Sequence, residues 1–126
     1  MHGLRDFHAV WGYVAIVANG VSGVYGLSAY KWRSLRGKTL WMVVVLAELA
    51  LMAQVVMGTI LMSGGKYKGL PALHMFYGFV AFITVGLLYS YRYVFKAKNR
   101  MEFAYGLGGL FLMGVGIRAI MQFAAA

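Results

Sequence analysis

Two histidines, His8 and His74, stand in matching segments: Phe7-His8-Ala9-Val10-Trp11-Gly12-Tyr13-Val14-Ala15-Ile16 aligns with Leu73-His74-Met75-Phe76-Tyr77-Gly78-Phe79-Val80-Ala81-Phe82. Four of the ten positions are identical, and Trp11/Tyr77 and Tyr13/Phe79 keep an aromatic ring. Neutral imidazole is a common ligand for transition metals. Each histidine is followed four residues on by a glycine, Gly12 or Gly78, which lies on the same helical face one turn deeper. Lacking a side chain, such a glycine lets a flat molecule rest against the backbone. A single histidine near a helix end is ordinarily an interfacial side chain bonded to water or headgroups, so the case rests on the pair. The chain has no Cys, which excludes disulfides, thiolate metal sites and covalent C-x-x-C-H haem attachment.

The elements that must position this pair follow from composition. Of the 126 residues, 62% are hydrophobic and 12% charged, about half the charge a soluble domain carries. The expectation is a single all-α transmembrane domain over residues 1–126, with helices at about 7–30, 39–62, 70–95 and 103–123. Runs of this length match the hydrocarbon thickness, and in lipid every backbone N–H and C=O must find an internal partner. Short connections predict an up-down-up-down four-helix bundle. The repeat makes it two tandem helical hairpins related by an axis along the membrane normal, with a fainter match of Leu49-Ala50-Leu51-Met52 to Leu110-Phe111-Leu112-Met113. Helices one and three are then diagonal, about 13–14 Å apart when neighbours lie at about 9–10 Å. Two inward side chains and two metal bonds of roughly 2 Å cover most of that span. A porphyrin fits between them, with Trp11, Tyr77, Phe76 and Phe79 as further lining.

Basic residues give the orientation. Lys31, Arg33, Arg36, Lys38, Lys96, Lys98 and Arg100 fall in the first and third connections, against Arg5, Lys66 and Lys68 at the other face, so both termini are expected outside the plasma membrane of a prokaryote. Most of the charge follows the first apolar run, which reads as a retained helix and not a signal peptide. The net charge of +9 sits at one membrane face, where anionic lipid headgroups account for it; nucleic acid is not an expected partner.

Several other polar residues fall within the apolar runs. Arg118, on helix four near the outer end, could pair with a propionate or snorkel outward. Gln54, at a comparable depth on helix two, could hydrogen-bond a cofactor or another helix. Glu48, near the middle of helix two, is either a proton relay or a structural hydrogen-bonding group. Asp6 reads as the N-cap of helix one, and Pro71 as a first-turn proline of helix three. Ala18, Ser22 and Gly26 suit close helix approach, and most Tyr and Trp residues suit interfacial belts. His2 carries no expected role, and the Met residues read as packing. No phosphate-binding loop, Ser-His-Asp set or carboxylate cluster supports hydrolase chemistry.

Phe7-His8…Gly12, then Gln54-Val55-Val56-Met57-Gly58, then Leu73-His74…Gly78 resembles one half of the haem A synthase family and, more loosely, small bis-histidine membrane cytochromes b. The resemblance covers about 70 residues. It implies one haem b per chain with His8 and His74 as axial ligands near the outer face. That family has a glutamate three residues before its first histidine and an arginine directly after it, where this chain has Arg5 and Ala9; the resemblance therefore bears on haem more than on the synthase reaction. The expected function is electron transfer by a membrane b-type cytochrome, with quinol or other subunits of a respiratory complex as partners, alone or as a homo-oligomer. The alternatives are a cofactor-free accessory or assembly subunit, or a haem-modifying enzyme.

Overall fold

The computed structural model describes residues 2–63, 72–94 and 100–125. Helix α1 spans His2–Lys31, α2 Lys38–Ser63, α3 Ala72–Val94 and α4 Met101–Ala125, with a 3₁₀ turn at Arg33–Leu35. All four long helices are apolar enough to cross a membrane, as a multi-pass membrane protein requires. None contains a proline. Pro71, Lys66, Lys68, Lys96 and Lys98, and both ends of the expected helix at 70–95, lie outside the described residues. One expectation is corrected at the N-terminus. Asp6 does not cap α1; it lies exposed in the second turn, because the helix already begins at His2.

The chain leaves α1 through a compact connection. Arg36 donates from Nε to Ala29 O at 2.8 Å and from Nη2 to Tyr30 O at 2.9 Å, satisfying carbonyls that the end of α1 leaves without helical partners. Its Nε also lies 3.9 Å from Oε1 of Glu102, which is 7% exposed in the first turn of α4. Gly37 then takes φ +148°, a region that side chains rarely enter, and α2 begins.

α1 packs on both α2 and α4, and α3 packs on α4, whereas α2 and α3 make little contact. Glycines dominate the α1–α4 seam. A Cβ on Gly23 would stand 2.7 Å from Leu110 N, and one on Gly109 2.7 Å from Gly23 N; a Cβ on Gly26 would meet the Cα of Gly106 at 2.9 Å. Backbone touches backbone there, as small residues permit between apolar helices. The partners Gly12–Ile120, Ile16–Gly116, Gly20–Met113 and Gly23–Leu110 climb α1 while descending α4, so the two helices are antiparallel.

Hydrogen bonds replace glycines between α1 and α2. Asn19, 2% exposed, donates from Nδ2 to Ala15 O at 2.9 Å and Ala47 O at 3.2 Å. Trp11 Nε1 donates to Ala50 O at 2.8 Å, and Gln54 Nε2 to His8 O at 2.8 Å. Each of these N–H donors thus finds an acceptor inside the protein, which the lipid could not supply. Two apolar clusters complete the core: one around Ala15, Leu51, Ala81, Leu112 and Val115, the other around Ala29, Leu40, Val44 and Tyr105.

The packing is less symmetric than the sequence repeat. A two-fold relation would pair the α1–α4 seam with an equal α2–α3 seam, yet that second seam stays open. The alignment itself supplies the reason. Gly23 and Gly26 of α1 correspond to Tyr89 and Arg92 of α3, and Gly106 and Gly109 of α4 to Val45 and Glu48 of α2. Residues larger than glycine at these positions do not permit backbone-to-backbone contact, so α1 packs more closely on α4 than α2 does on α3.

Candidate functional site

A cavity of about 490 Å³ is lined by all four helices, a size in the range of small-molecule and cofactor sites. Its walls are chiefly apolar, among them Ile16, Leu51, Phe82, Leu112 and Val115. Polar groups gather at one end. There His8 of α1 and His74 of α3 face each other with ring centroids 6.4 Å apart and ring planes at 81°.

The two rings are held differently. His74 Nδ1 lies 2.7 Å from Ala119 O on α4. A carbonyl only accepts, so Nδ1 carries the proton and the lone pair resides on Nε2. His8 Nδ1 is buried without a hydrogen-bond partner. Its ring edge rests over Gly58, where a Cβ would lie 3.2 Å from His8 Cε1 and 3.7 Å from Nε2. Gln54 stands beside it, Nε2 bound to the His8 carbonyl and Oε1 buried without a partner.

His8, His74, Gly12, Gly78 and Gln54 all line the cavity, as do Tyr77 and Phe79. The expected glycine pair is not equivalent. Nothing lies within 4 Å of a Cβ on Gly78, whereas one on Gly12 would meet Gln54 Nε2 at 3.1 Å and Ile120 at 3.5 Å. The space over Gly12 is therefore filled by protein, and the space over Gly78 is open. Arg118 is exposed on α4 and is not among the lining residues. Trp11 stacks on Phe7 and turns its indole to Ala50 instead of the cavity; Phe76 is exposed, with its ring 5.7 Å from Tyr77. Glu48, half-buried on α2, lines no part of it.

Sequence reasoning did not find Gly58 or Ala119 as parts of the site. Gly58 was visible only inside the Gln54…Gly58 segment, and a backbone carbonyl leaves no mark on residue type. Among the described residues no group of three or more His, Cys, Asp or Glu side chains comes together. The donor set here is thus two imidazoles with a carboxamide beside them. Comparison with family models, with curated proteins and with solved structures found no match for this chain.

Proposed function

We propose that the chain is a membrane-embedded b-type cytochrome that holds one haem between His8 and His74 and passes single electrons. The observation that carries this reading is the 6.4 Å separation of the two rings. Metal–imidazole bonds of about 2.0–2.1 Å on opposite sides of one ion, ending on five-membered rings, place the centroids about 6.3 Å apart. Near-perpendicular ring planes are compatible with such a shared ion, since ligation through one nitrogen of each ring does not require the two planes to coincide. Two imidazoles alone chelate a bare ion poorly; a macrocycle that brings four equatorial nitrogens needs only two from the protein.

The residues divide the work between them. His74, with Nδ1–H held by Ala119 O, presents Nε2 as a fixed and more basic donor. His8 supplies the opposing nitrogen. Gly78 leaves an open face on which a planar ring could lie, and the apolar walls would keep water from a bound metal, a condition that helps set reduction potential. When bound, the haem would supply one-electron redox chemistry. The chain lies in a prokaryotic plasma membrane as an up-down-up-down bundle of two hairpins, both termini outside and the site near the outer face. Quinol, or a neighbouring subunit of a respiratory complex, is the partner that would exchange electrons with it. Arg118, exposed and outside the cavity lining, is not assigned to the haem.

The test is haem content after purification from membranes of a haem-replete host. About one haem per wild-type chain, and a large loss in His74→Ala, is the expected result. A folded wild-type protein that carries none and takes up no added haemin refutes the reading.

A further inference from the structure

His8 and His74 face one cavity from unequal footings, and we propose that His74 is the anchored ligand while His8 is the exchangeable one, leaving the α1 side of the site to a small exogenous ligand. The inference rests on the haem reading above. It deepens that reading by assigning the site a second ligand class: small neutral molecules with a lone pair for the metal, favoured further when they carry an N–H or O–H.

Three observations carry it. His74 is fixed through its far nitrogen by the Ala119 carbonyl at 2.7 Å, and such outer partners orient a ligand ring and strengthen it as a donor. The corresponding nitrogen of His8 has no partner although it is buried, so no comparable tether holds that ring in register. The His8 ring lies close beside Gly58 of α2, Cε1 being the atom a Cβ there would meet first, at 3.2 Å. Because Gly58 lacks a side chain, α2 leaves room beside the ring into which His8 can withdraw from this position. Ligand exchange here trades one dative bond for another; no electron or proton need move.

Gln54 gives the vacated position its chemistry. Its Nε2 is committed to the His8 carbonyl, while Oε1 lines the cavity as a buried acceptor without a partner. A bound molecule with a hydrogen to donate satisfies that oxygen, and carbon monoxide does not. Selectivity for imidazole over a pure lone-pair ligand therefore depends on the Gln54 carboxamide.

The experiment uses the full chain, haem-loaded and in detergent, with carbon monoxide titrated into the dithionite-reduced protein and imidazole into the ferric protein, both followed at the Soret band. The expected wild type binds both. His8→Ala keeps its haem and binds carbon monoxide about 10-fold more tightly, whereas His74→Ala retains about 10-fold less haem than His8→Ala. Gly58→Ala puts a methyl group against the α2 side of the His8 ring, closes the room into which it would withdraw, and weakens binding of both probes. Gln54→Leu weakens imidazole binding and spares carbon monoxide. A wild type inert to both probes at saturation, or equal haem loss in the two histidine variants, overturns this proposal and leaves the bis-histidine reading standing. Should His8→Ala fail to fold, unchanged probe affinity in Gly58→Ala overturns it instead. A wild type that binds no haem overturns both.

Discussion

Replacing Gly109 by alanine adds one methyl group where α4 meets α1 backbone to backbone. The new Cβ would lie 2.7 Å from Gly23 N, 2.8 Å from Asn19 O and 2.9 Å from Gly23 Cα. None of these atoms is the end of a flexible side chain, so the helices must separate or the seam must bend. Overpacking of this kind costs about 1–3 kcal/mol. Alanine's helix propensity returns up to about 1 kcal/mol, which leaves a net loss on the order of 1 kcal/mol. Gly114, five residues further along α4, is the internal control, because nothing lies within 4 Å of a Cβ there. Gly114→Ala should be neutral or slightly stabilising. Both variants are unfolded in mild detergent by titration with SDS and followed by circular dichroism. Midpoints that shift equally for Gly109→Ala and Gly114→Ala would refute the glycine-seam account of this bundle.

Further perturbations separate packing from the site. Asn19→Ala removes one hydrogen bond to α2 and one within α1 and should lower the unfolding free energy read from the same SDS titration by about 0.6–1.7 kcal/mol, the range for polar contacts between membrane helices. Arg36→Met strips the capping bonds from the end of α1 and leaves Glu102 without its nearby cation, a loss of about 1–3 kcal/mol; adding Glu102→Leu should recover part of it, and a double variant less stable than either single one would contradict the pairing. Gly78→Leu fills open space and should cut haem content sharply while the unfolding free energy from the SDS titration stays within about 0.5 kcal/mol of wild type.

The helices were legible because lipid leaves little choice: a long apolar run must satisfy its own backbone, and the runs ending at Lys31 and Ser63 do so. The histidine pair was legible for a related reason, since a repeated imidazole followed by a glycine is rare enough to be noticed without knowing the packing. The uses of individual glycines were not. Gly12 and Gly78 look equivalent in the alignment, yet Gln54 covers one and nothing covers the other. Gly23, Gly106 and Gly109 form the seam that breaks the symmetry of the repeat, a role that depends on what each helix faces. Asn19 carries no such signal, because a lone amide in an apolar run announces no partner, and its partners are backbone carbonyls. The expected N-cap at Asp6 failed because apolar patterning marks where a span enters lipid, whereas the helix itself starts a turn earlier at His2.

The central claim is that His8 and His74 share one iron. It is tested most directly by the reduced-minus-oxidised absorption spectrum of the purified wild-type protein beside His8→Ala and His74→Ala. The account predicts a sharp low-spin b-type α band in the wild type and its loss in each variant. An α band that survives unchanged in both variants, or a folded wild type with no band after incubation with haemin, would contradict it.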